Sequence, residues 1–127
     1  MLSVESRVAS GLGRPELLNW FSRFQEVIAR LKPDVALLSF GSNDAHGYMS
    51  GVPEGTSIGA LGSASWNAEY RRRVAGVTEA FAHVGAYVIW LGLQIARSAK
   101  QSASFRTVNG VLREVAAAQA VITQRAS

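Results

Sequence analysis

The chain has 127 residues, 48% hydrophobic and 17% charged, which suits one domain with a buried core and excludes a disordered tail. Thirteen Lys and Arg against nine Asp and Glu leave a charge of +4, a weak bias toward anionic partners and no nucleic-acid signature. Cysteine is absent and histidine occurs twice, so disulfides, thiolate chemistry and a histidine-built metal cluster are excluded.

The chain opens on Met1-Leu2-Ser3-Val4-Glu5, without the basic and apolar regions of a signal peptide, and no apolar run reaches the ~18 residues of a bilayer span. Leu2–Val8 is a weak strand candidate. Leu17, Phe21, Phe24, Ile28 and Leu31 recur at spacings of four and three, which predicts a helix with Pro15 in its first turn. Lys32-Pro33-Asp34 stops that helix, and Val35–Phe40 is a predicted strand. Gly47–Ser65, rich in Gly and Ser, is a long loop. A second helix places Trp66, Tyr70, Val74, Val77, Phe81 and Val84 on one face, with Ser65 as N-cap and Gly85 just past its end. Arg71-Arg72-Arg73 fans across the exposed side of that helix, and no aromatic residues interleave to make a stacking platform. Ala86–Leu91 is a second strand. A third helix carries Phe105, Val108, Leu112, Val115, Ala118 and Ile122 on one face, capped by Ser102 or Ser104, with Gly110 a mild penalty inside it. Both clear strands are almost continuously apolar, which predicts burial on both faces. The expected class is α/β, a parallel sheet with helices on either side.

Open parallel sheets bind ligands beyond the carboxyl ends of their strands. That rule selects Gly41-Ser42-Asn43-Asp44-Ala45-His46 and Gly92-Leu93-Gln94-Ile95-Ala96-Arg97. Gly41 permits a sharp exit from the strand, and Asn43 offers a neutral NH₂ donor suited to a carbonyl oxygen that gains negative charge. Asp44 is expected to brace the turn by accepting backbone N–H bonds. A plain polar turn fits the same four residues equally well. Gly11-Leu12-Gly13 mimics the start of a dinucleotide fingerprint, but Pro15 intervenes and Glu16 occupies the third glycine's place.

The stretch Pro33-Asp34-Val35-Ala36-Leu37-Leu38-Ser39-Phe40-Gly41-Ser42-Asn43-Asp44 resembles the third block of the SGNH (GDSL-type) hydrolases. Ser10-Gly11-Leu12-Gly13-Arg14-Pro15-Glu16 followed by Asn19-Trp20 is similar to the second block of a bacterial envelope-associated subfamily. Trp66-Asn67-Ala68-Glu69-Tyr70-Arg71, then Val88–Leu93, Arg97 and Asn109, follow that subfamily in order. Each motif is weak alone; their order over most of the chain is fairly specific.

The resemblance implies a flavodoxin-like three-layer fold of sheet order 2-1-3-4-5. It also implies a serine esterase that uses no cofactor and no metal. Its oxyanion would be held by the nucleophile's own backbone N–H, by the backbone N–H of Gly11 and by the Asn43 side chain. Read without the resemblance, Gly11 serves equally as a helix-entry glycine. Gly41 and Asp44 would brace the turn, and His46 and Arg97 would line the cleft. Neither the family's Gly-Asp-Ser block nor its Asp-x-x-His block occurs in these 127 residues. The expectation is therefore a partial domain over residues 1–127 without its central first strand, from a clipped gene or a degenerate paralogue. Nucleophile and general base have no assigned residue: Ser3, Ser6, Ser10 and Ser42 lack a base, and His83 suits a surface position near a helix end. The implied substrate is a small-molecule or carbohydrate ester, such as the O-acyl groups of cell-wall material, in the periplasm or envelope. No membrane insertion is expected, and the oligomeric state is open. The alternative is a non-catalytic carbohydrate- or partner-binding remnant, with Tyr48, Trp66 and Trp90 as stacking candidates and the core as the stronger reading for both tryptophans. A nucleotide-binding domain is disfavoured because no Gly-x-x-x-x-Gly-Lys-Ser/Thr loop is present.

Overall fold

The computed structural model describes residues 12, 19–39, 44, 49–50, 58–93, 98–118 and 122–124. Its elements run α1 (Trp20–Leu31), β1 (Val35–Leu38), α2 (Ala64–His83), β2 (Tyr87–Leu91), α3 (Ala99–Ala118) and β3 (Ile122–Gln124). The strands form one parallel sheet in the order β1-β2-β3, with Val35 opposite Tyr87 and Ile89 opposite Ile122. The expected parallel α/β class is therefore present. The Leu2–Val8 strand candidate lies outside the described residues.

Several expected boundaries move, each for a local reason. α1 begins at Trp20, because Asn19 is extended and its side chain accepts the Ser22 N–H at 3.3 Å; Pro15, expected in its first turn, lies outside the described residues. Ser63, not Ser65, caps α2 by accepting the Trp66 N–H at 3.3 Å; the Ser65 hydroxyl donates to the Ile58 carbonyl at 2.6 Å. At the other end Gly85 adopts φ +82° and donates to the Ala82 carbonyl, the left-handed stop expected of a glycine there. Ser98, not Ser102 or Ser104, caps α3 through the Gln101 N–H at 3.0 Å. Ser102 is buried instead, and Ser104 bonds back to the Lys100 carbonyl. Ile122, placed on the third helix by its spacing, belongs to β3. The β-branched run Val121-Ile122-Thr123 favours a strand, and β2 offers an edge for it to pair with.

Burial alternates along the strands, contrary to the expectation of two covered faces. Ala36, Leu38, Val88 and Trp90 are buried, whereas Val35, Leu37 and Tyr87 on the other face are 58%, 61% and 67% exposed. Among the described residues the helices lie on one face only. α2 packs against α1 on one side and α3 on the other, and a single core joins Phe24, Phe81, Trp66, Val77, Val88, Trp90, Val108 and Leu112. The Phe24 and Phe81 rings meet edge to face at 5.3 Å. Relative to a three-layer flavodoxin-like fold the arrangement is incomplete: a sheet and one helix layer. Parallel sheets are normally covered on both faces.

Candidate functional site

The carboxyl ends of β1 and β2 are where the polar chemistry gathers. Asp44 lies beyond β1 and is buried, 2% exposed. Its Oδ2 accepts the backbone N–H of Leu12 at 3.2 Å and the hydroxyl of Tyr70 at 2.6 Å. The Leu12 bond joins Asp44 to a residue 32 positions earlier in the chain. Leu12 is held at its carbonyl as well, which accepts from Nη1 of Arg73 at 2.8 Å. Arg73 spreads its remaining donors over the Ser50 carbonyl and Glu69 Oε1, at 2.5 and 3.0 Å. One buried guanidinium therefore ties three segments together, a use to which its planar fork is suited.

This corrects the expectation that all three arginines fan into solvent. Arg71 pairs with Glu114 on α3 and Arg72 with Glu69, both at the surface, but Arg73 is 4% exposed. Its position explains why. Arg73 follows Tyr70 by three residues and precedes Val77 by four, so it shares the inward stripe. That spacing is the sequence signal for Arg73, and Tyr70 adds a hydroxyl to what its spacing marks as an apolar stripe.

The exit from β2 is pinned differently. The Asn109 side chain on α3 accepts the Leu93 N–H at 2.7 Å and donates to the Leu93 carbonyl at 3.0 Å, standing in for a neighbouring strand.

Of the residues expected in the site, Asp44 is described; Gly11, Gly41, Asn43, His46 and Arg97 lie outside the described residues, as do Tyr48, Ser3, Ser6, Ser10 and Ser42. Leu12 and Asp44 are the immediate chain neighbours of Gly11 and Asn43. Trp66 and Trp90 are both fully buried. Trp66 stacks on Tyr70 at 4.9 Å, and Trp90 donates its Nε1–H to the Thr78 hydroxyl at 3.0 Å. His83 is exposed in the last turn of α2. No group of three or more metal-ligating side chains occurs among the described residues, and no described helix is long and apolar enough to cross a membrane. A shallow groove lined by Ile28, Lys32, Pro33, Asp34 and Val84 sits at the opposite, amino ends of the strands.

Burial pushes the Tyr70 phenol well above the ordinary tyrosine range, helped by the negative charge of Asp44 and by the hydrogen bond given to it. The unfolded chain loses this proton near pH ~10, while the folded chain still holds it. Stability from the neutral phenol is thus complete below that pH and lost as pH rises above it. Tyr70→Phe should flatten the alkaline fall of the urea midpoint between pH ~9 and ~11. Parallel curves for the two proteins would refute that assignment. Glu69 is shifted the other way, its carboxyl held below the usual range chiefly by the hydrogen bonds from Arg72, with Arg73 adding to them against the cost of burial.

A family model described as a protein of unknown function (DUF459) matches residues 2–126 of the chain. No curated protein matches it.

Proposed function

The chain belongs to the DUF459 family, and we propose that it carries the carbonyl-oxygen-holding part of a serine acyl-ester hydrolase. The observation supporting this reading is the hydrogen bond between Leu12 and Asp44. Two segments far apart in sequence, each containing one candidate oxyanion donor, are bonded at the residues next to those donors. An oxyanion hole needs donors fixed before charge develops, and a buried, charge-assisted bond is a direct means of fixing them. Gly11 would supply a backbone N–H and Asn43 a side-chain N–H, with O-acyl groups of carbohydrate or cell-wall material as the substrate class. In the complete chemistry a serine attacks the acyl carbon and a histidine removes its proton. Neither role has an assigned residue here, so the chain should recognise a tetrahedral oxyanion without turning an ester over. The alternative, a non-catalytic carbohydrate- or partner-binding remnant, draws no support from Trp66 and Trp90, whose rings fill the core.

Methylphosphonate, a tetrahedral anion, is the probe that tests this. Titrated into the ¹⁵N-labelled chain, it should shift the Gly11 amide and the Asn43 side-chain NH₂ signals together, and Asn43→Ala should abolish binding. p-Nitrophenyl acetate should hydrolyse no faster than in buffer. If methylphosphonate moved neither signal, the reading would fail; ester turnover removed by Asn43→Ala would instead place a nucleophile within the chain.

A further inference from the structure

The geometry points to Tyr70 and Arg73 as positioning residues that hold the Gly11 segment and the Asn43 turn as one unit; this rests on the function proposed above. Neither side chain needs to touch the substrate. Tyr70 is fully buried and its hydroxyl donates to the same carboxylate oxygen, Asp44 Oδ2, that receives the Leu12 N–H. It thereby fixes where that oxygen points. Arg73 secures the other side of Leu12 through its carbonyl, and reaches Ser50, six residues beyond Asp44, with a second nitrogen. Both residues project from one turn of α2, an element built into the core by Trp66, Val74, Val77 and Phe81. Leu12, Asp44 and Ser50 are consequently all tied to the same rigid helix. Preorganised donors are typically held in this way by a supporting layer whose own side chains are locked by packing. The acidic partner matters too: Glu69 accepts from Arg73 Nε, which fixes the plane of the guanidinium.

The test compares Tyr70→Phe, which deletes one oxygen atom, with Thr78→Val on the same helix. Thr78 is equally buried and its hydroxyl bonds Val74 and Trp90, remote from Leu12 and Asp44. Tyr70→Phe should weaken methylphosphonate binding about tenfold and speed exchange of the Leu12 amide proton relative to the α2 amides. Thr78→Val should lower the melting temperature at least as much, yet leave affinity within about twofold. Arg73→Lys, which keeps the charge but loses the fork, should behave like Tyr70→Phe. Wild-type binding that Tyr70→Phe and Arg73→Lys leave unchanged would overturn the positioning role alone. A wild-type chain that never binds methylphosphonate would overturn the proposed function, and the positioning role with it.

Discussion

Trp90→Ala is expected to lower the free energy of unfolding by about 3–5 kcal/mol, the usual cost of truncating a fully buried tryptophan. Trp90 is 0% exposed and lies on β2, the strand that pairs with both β1 and β3. Its ring belongs to the cluster that joins the sheet to the helices, so the cavity would open at the centre of the molecule. A polar loss adds to the apolar one. The indole Nε1–H donates to the Thr78 hydroxyl, which in turn donates to the Val74 carbonyl one helical turn back. Against a total stability of about 5–15 kcal/mol, a loss of this size leaves a marginal fold. Urea unfolding followed by far-UV circular dichroism measures it directly. A loss below about 1 kcal/mol would show that the indole is not packed as described. Trp90→Phe retains much of the volume and should cost clearly less.

The order of helices and strands was legible because the signals are local. Trp66, Tyr70, Val74, Val77 and Phe81 repeat at helical spacing, and Lys32-Pro33-Asp34 marks the turn into β1. The direction of pairing followed from topology, since strands separated by helices in this way run parallel. What sequence reading missed depends on partners distant in the chain. Ile122 fits a helical stripe and a strand equally well, and only the open edge of β2 decides between them. Val35 and Leu37 look like buried strand residues because their composition suits a doubly covered sheet, yet the face they occupy is open among the described residues. Arg73 was hidden by its two neighbours: a run of three arginines reads as solvated, although one of the three shares the spacing of the core. At the site, the sequence singled out Gly41-Ser42-Asn43-Asp44 through its place after a strand. Nothing local indicated that Asp44 would be joined to Leu12, because that bond spans 32 residues.

Asp44→Ala is the second substitution with a large expected effect. It removes an oxygen that accepts two buried donors, the Leu12 N–H and the Tyr70 hydroxyl. Each donor left without an acceptor costs roughly 1–3 kcal/mol, so a loss of about 2–6 kcal/mol is expected. Asp44→Asn should be milder. The Leu12 and Tyr70 bonds both fall on Oδ2, and an amide oxygen in the same place can accept both, without the assistance of the charge. The double-mutant cycle with Tyr70→Phe is the sharper measurement. In the wild-type chain, Tyr70→Phe deletes a satisfied hydroxyl and should destabilise the fold. In the Asp44→Ala chain the same change deletes an orphaned hydroxyl from a fully buried position, and should be neutral or stabilising. A reversal of sign between the two backgrounds is the signature of a shared buried bond. Equal costs in both would mean that the hydroxyl acts independently of Asp44, since phenylalanine keeps the ring that stacks on Trp66.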